Sequence, residues 1–184
     1  MKLIPYTKID GRRNFKDSEI IALYRQMAEE KTLNTVLSDG TIQNEQQFLS
    51  SMKTSCQLFV ILDEPLGEIS TPIAITWLNR LEGKTARLHF CFFKKAWGVK
   101  SVKVGKFICR QILDFTYGKG YLYDSLIGRI PVSNKSAIEF FKKIGVKFVG
   151  ELPEGHWNHF KQQSESALVV YMNRGCLDAE KNLY

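Results

Sequence analysis

The sequence is short of the features that mark a membrane protein, a disulfide scaffold or a repeat array. No apolar run approaches the ~18–20 residues of a membrane span. Met1 to Arg12 holds no apolar stretch that reads as a signal peptide. The four cysteines, Cys56, Cys91, Cys109 and Cys176, do not share the short spacing of a zinc site or a redox pair. Cys91 and Cys109 fall in apolar runs and read as buried thiols. Repeats and low-complexity tracts are missing, and no linker divides the chain. These absences predict a cytoplasmic protein with reduced thiols. They also predict a single domain over 1–184, with its core over about 1–174 and a peripheral tail over 175–184.

What is present fits that reading. A chain of 184 residues that is 44% hydrophobic can bury a core without staples, and 24% charged residues exclude global disorder. Acidic residues number 19 against 26 Lys and Arg, so the net charge is +7. Such a surface is either simply solvated or meets a phosphorylated cofactor, an acidic substrate or nucleic acid.

The apolar spacing predicts a helix over Asp17–Glu30, capped by Asp17 or Ser18, and a shorter one over Asn44–Lys53. Strands are predicted over Gln57–Leu62, which ends at an Asp63-Glu64-Pro65 turn, and over Pro72–Leu81 and Thr85–Phe93, joined by Glu82-Gly83-Lys84 as a hairpin. The clearest helix spans Ser101–Tyr117, with Val104, Phe107, Ile108, Ile112 and Phe115 on one face and Gly118 and Gly120 ending it. Tyr121–Ile130 reads as a strand broken by Pro131. A helix follows that Ser133 caps and Gly145 stops, with Ala137, Ile138, Phe141 and Ile144 on one face. Val146–Leu152 and Ala167–Met172 are the last strands, separated by a polar loop, and Lys2–Ile9 supplies one more. Strand–helix–strand around Ser101–Tyr117 implies parallel neighbours, while both hairpins are antiparallel. The fold class is therefore α/β: a mixed central sheet with helices on both faces.

Two stretches carry a family resemblance. His89-Phe90-Cys91-Phe92-Phe93, then Lys100-Ser101-Val102-Lys103-Val104-Gly105-Lys106, then Asp114 to Tyr121, are similar to the strand, pyrophosphate loop and long helix of the GNAT N-acetyltransferase superfamily. Asn134-Lys135-Ser136-Ala137, running on to Lys143-Ile144-Gly145-Val146, resembles its Asn-x-x-Ala-x-x-x-Tyr-x-Lys-x-Gly-Phe segment. The loop departs from the usual Gln/Arg-x-x-Gly-x-Gly/Ala. Only Gly105 matches, a basic residue stands first, and the stretch holding Trp97-Gly98 is longer than usual.

The resemblance implies acetyl-CoA as cosubstrate and an amine as acceptor. Helix amides, Ser101 and the lysines Lys100, Lys103 and Lys106 would hold the pyrophosphate, with Gly105 admitting the backbone; an ordinary capped helix with a basic face is the alternative. Phe92 and Phe93 would offer backbone groups to the pantetheine arm. Asn134 would reach the arm or else bond its own first turn. His89 stands on the strand that often carries the base, or is a half-buried structural histidine. Phe141 occupies the place of a tyrosine held to protonate the leaving thiolate. Trp77 and Tyr171 read as core or pocket wall, and His156, Trp157, His159 and Phe160 as the border of the acceptor site. His156-x-x-His159 has no third ligand near it in sequence, so no metal is expected. The reading is an N-acetyltransferase that works by direct attack. A catalytically weak CoA-binding, regulatory or assembly protein is the alternative, and a nucleic-acid partner ranks last for want of a recognition motif.

Overall fold

The structure, a computed structural model, describes residues 1–63 and 71–179. The predicted turn at Glu64-Pro65 lies outside the described residues. The chain forms two compact units: Met1–Asn79 with His89–Trp97, and Arg80–Leu88 with the chain from Gly98 onward.

In the first unit, β1 (Lys2–Pro5) pairs antiparallel with β4 (Gln57–Asp63), placing Lys2 opposite Leu62. The predicted Lys2–Ile9 strand is divided, because Asp10-Gly11 turns β2 (Lys8–Ile9) onto β3 (Arg12–Arg13) as a separate ribbon. Helix α1 (Asp17–Glu29) opens differently from expectation. Asp17 pairs with Lys53 at 2.6 Å, and Glu19 accepts the Lys16 amide at 2.6 Å. A single extra turn, α2 (Leu33–Val36), precedes α3 (Glu45–Thr54), whose cap Asn44 accepts from the Gln47 amide. The core of this unit gathers Ile20, Met27, Phe48, Met52, Trp77 and Phe93.

Strand β5 (Thr71–Glu82) pairs antiparallel with β4, and a two-residue turn at Gly83-Lys84 sends the chain back as β6 (Thr85–Phe92). A connection that short can only join antiparallel strands. A 3-10 turn over Lys94–Ala96 closes the unit, its Lys94 amide donating to Glu30 Oε2 at 2.6 Å.

In the second unit, α4 runs over Val99–Leu113, two residues earlier at its start and four shorter at its end than the spacing predicted. It stops at Asp114 because Thr116–Tyr117 (β7) folds onto Gly120–Tyr121 (β8), with Gly118 at φ 61° in the turn. Gly118 and Gly120 thus build a small hairpin, and Phe115 lies beyond the helix. The predicted Tyr121–Ile130 strand is likewise divided between β8 and β9 (Ser125–Pro131), and Pro131 closes β9 instead of breaking it.

Helix α5 (Lys135–Ile144) is capped by Asn134, not Ser133, and ends on Gly145 in the left-handed region at φ 86°. Strands β10 (Lys147–Asn158) and β11 (Gln163–Asn173) are much longer than predicted. The polar loop is the far end of their hairpin, bulged between Leu152 and His156, which admits Pro153 and Gly155. The described part of the expected tail, through residue 179, is anchored. Helix α6 (Arg174–Ala179) buries Cys176 and Leu177, and Arg174 Nη1 donates to the carbonyls of Leu113 and Tyr123.

The strands order as β1-β4-β5-β6-β9-β11-β10 in one seven-stranded mixed sheet. β6 and β9 are parallel neighbours, pairing Thr85–Arg87 with Ser125–Ile127, and β11 lies antiparallel between β9 and β10. Among the described residues no helix is long and apolar enough to cross a membrane.

Candidate functional site

The residues singled out in the sequence fall into a group in each unit. In the second unit the central feature is the opening of α4. Gly98, its N-cap, holds φ 74° and ψ −139°, a conformation that L side chains rarely adopt. The amides of Val99 and Lys100 stand at the positive end of the helix dipole, while the Ser101 amide donates to the Gly98 carbonyl at 3.2 Å. The Ser101 hydroxyl donates to the Gly98 carbonyl at 2.7 Å and so pins the turn, instead of accepting an amide as a cap does. Lys100 is half-buried and Lys103 exposed.

Two residues assigned to this turn belong elsewhere. Val104 is fully buried, and Gly105 faces α5. A Cβ on Gly105 would stand 2.6 Å from the Phe140 ring and 3.2 Å from Ile144 Cγ2. Gly105 is therefore required by close helix–helix packing, not by the approach of a phosphate. The glycine of the opening is Gly98. Sequence reasoning passed over it because only Gly105 matched the expected loop. The signal was the Trp97-Gly98 pair directly before an amphipathic run.

Asn134 caps α5: its Oδ1 accepts the Ala137 amide at 3.0 Å, while the same side chain keeps an NH2 donor. Phe141, half-buried, meets Phe140 edge-on at 5.2 Å and lines an apolar crevice with Leu88, Cys109, Gly128, Val170 and Tyr171. Burial pushes the Cys109 thiol up to about 12.

The first unit carries His89, Phe92 and Phe93. His89 lies half-buried on β6, its ring parallel to the Trp77 indole at 5.0 Å and its Nε2 3.2 Å from Asn79 Oδ1. Phe92 and Phe93 are less available than expected. The Phe92 carbonyl accepts the Trp97 indole N–H at 2.9 Å, Phe93 donates its amide to Ile73, and the Phe93 carbonyl accepts from Ala96. Burial also pushes the Cys91 thiol up to about 12, with Thr32 bonding to it and lowering it slightly.

Of the predicted acceptor border, His156 and Trp157 lie on β10, and His159 and Phe160 in the turn that follows it. Among the described residues no cluster of His, Cys, Asp or Glu could hold a metal ion.

A parallel strand pair joined through a glycine-opened helix, followed by a second capped helix and a long antiparallel hairpin, is the GNAT acetyltransferase fold. A point mutant of the spermidine N-acetyltransferase SpeG from Vibrio cholerae has a TM-score of 0.69 at 9% identity, over 98% of this chain and 99% of that one. A spermidine N-acetyltransferase from Vibrio cholerae in complex with CoA and spermine gives 0.62 at 12% identity, over 95% and 97%. A probable acetyltransferase of the GNAT family from Chromobacterium violaceum gives 0.65 at 13% identity, over 89% and 82%. No family model and no curated protein sequence matches the chain.

Proposed function

We propose that this protein is an acetyl-CoA-dependent N-acetyltransferase. The observation that carries the proposal is the Gly98–Ser101 turn at the opening of α4, set in a GNAT fold. The pyrophosphate would rest on the first-turn amides of Val99 and Lys100, with Lys100 and Lys103 adding charge. The Asn134 NH2 would donate to the pantetheine arm.

The acceptor amine would attack the thioester carbonyl directly. The C–N bond forms, the C–S bond breaks, CoA leaves as its thiolate, and the surplus proton of the amine passes to His89. A cysteine relay is disfavoured because Cys91 and Cys109 are buried thiols held far from ionisation. The neighbour that binds CoA and spermine supports an amine as acceptor. A net charge of +7 favours the polyanionic cofactor and works against a polycation, so the acceptor is an amine-bearing small molecule or protein to be found by screening.

Phe141 supports a second reading, a slow or silent CoA-binding protein. Its ring has no proton to give the thiolate, and Tyr171 supplies the hydroxyl among the residues lining that crevice.

Calorimetric titration with acetyl-CoA tests the cofactor site. Lys100→Glu, placed on the first turn, should weaken binding about tenfold or more, the worth of one charge-assisted hydrogen bond. Unchanged affinity in the folded variant would move the phosphates elsewhere.

A further inference from the structure

Strand β9 ends at Pro131, opposite Ala167 of β11. The Val132 amide adds one more bond, to the Ser166 carbonyl at 3.0 Å. The next pair in that register is Ser133 opposite Glu165, and there the chain is already turning into α5. The Asn134 amide closes back on the Pro131 carbonyl at 2.9 Å, and the Lys135 amide on the Ser133 carbonyl at 3.0 Å. Strand pairing has ended, and the Glu165 side chain takes its place. Its carboxylate accepts both the hydroxyl and the amide of Ser133.

The same carboxylate is held from β10. Asn158 Nδ2 donates to Glu165 Oε1 at 3.3 Å, and His156 stands opposite Glu165 in the β10–β11 register. Burial alone would raise the Glu165 carboxyl, but the Ser133 and Asn158 bonds and the Lys161 charge outweigh it and hold the group below the ordinary carboxylate range. At neutral pH it is an ionised acceptor that can take several donors at once.

This arrangement accounts for the capping of α5. The Ser133 hydroxyl is taken by Glu165, so the cap passes to Asn134. Asn134 spends its Oδ1 on the Ala137 amide, and its NH2 is the part of the side chain that can donate to a ligand. Its backbone, at φ −85° and ψ 71°, lies outside the extended conformation usual for an N-cap. The direction of the Asn134 side chain therefore depends on what holds the turn before it. All of these residues belong to the second unit.

We infer that Glu165 is a positioning residue: by holding Ser133, it sets the Asn134 side chain for the pantetheine arm of acetyl-CoA. The inference rests on the acetyl-CoA reading above, and it concerns binding of the acyl donor, not the chemical step.

Calorimetric titration with two ligands tests it. Acetyl-CoA carries the arm; 3′-phosphoadenosine 5′-diphosphate carries the same nucleotide and pyrophosphate without it. Glu165→Ala should weaken acetyl-CoA about two- to tenfold, the usual worth of one hydrogen bond, and leave the nucleotide within about twofold. Asn134→Ser keeps a capping oxygen and removes the NH2, so it should show the same selective loss. Adding Glu165→Ala to Asn134→Ser should then cost nothing more, because both act through one contact. Glu165→Gln retains an acceptor oxygen for Ser133 and should fall between the wild type and Glu165→Ala; it carries the test if Glu165→Ala does not fold. Unchanged acetyl-CoA affinity in the folded variants would overturn the inference. Equal losses for both ligands, or additive losses in the double variant, would overturn it too and leave Glu165 as a strap for the turn. Those results all leave the wild type binding acetyl-CoA; a folded wild type that binds neither ligand would end the acetyl-CoA reading and this inference with it.

Discussion

Phe141 and Gly98 show how single residues carry the functional argument. At Phe141 the sequence already held the relevant fact, the absence of a hydroxyl where the resemblance expects one. The structure adds that the ring lines an apolar crevice also lined by Tyr171. Phe141→Tyr should fold and turn over no more slowly than the wild type, with a ceiling on the gain of about 10²–10⁴-fold, the usual worth of a general acid. A steady-state rate comparison checks this, and a slower folded variant would mean that the hydroxyl does not reach the sulfur. Gly98 was legible only in hindsight. Its importance lies in a positive φ, which leaves no trace in hydrophobic periodicity, whereas Gly105 attracted attention by matching a pattern.

At the scale of elements, the amphipathic helices and buried strands were readable because burial imposes a period. Ile20, Leu23 and Met27 on α1, and Phe48 and Met52 on α3, fall inside where the spacing put them. The ends were less readable, since they depend on local bonds. Asn134 rather than Ser133 caps α5, and the Thr116–Tyr121 ribbon cuts α4 short. The β10–β11 hairpin was the largest miss. Pro153, Glu154 and Gly155 resemble a loop in sequence but form a bulge within a strand, with Glu154 at φ 51°. The α4–α5 contact makes its own prediction. Gly105→Leu would force a side chain into the Phe140 ring and should destabilise by about 1–3 kcal/mol from overpacking. Urea unfolding measures it; unchanged stability would show that Phe140 swings aside freely.

Over the whole molecule, composition limited the possibilities more than it selected among them. A net charge of +7 and scattered cysteines left room for a phosphorylated cofactor and for nucleic acid alike. The parallel β6–β9 pair and the insertion of β11 between β9 and β10 define the GNAT topology, and the sequence foretold the first of these from its strand–helix–strand unit. The insertion was out of reach, because two antiparallel strands at the end of a chain do not declare which of them meets the rest of the sheet.

The central claim is that this fold moves an acetyl group from CoA to an amine. Mass spectrometry of purified protein with acetyl-CoA and a panel of amines, spermidine, lysine peptides and free peptide N-termini among them, tests it most directly. The account predicts amine-dependent release of CoA matched by acetylation of one class of acceptor, and its loss in Lys100→Glu at limiting acetyl-CoA. Failure of acetyl-CoA to bind the folded wild-type protein, or CoA release that no amine accelerates, would contradict it.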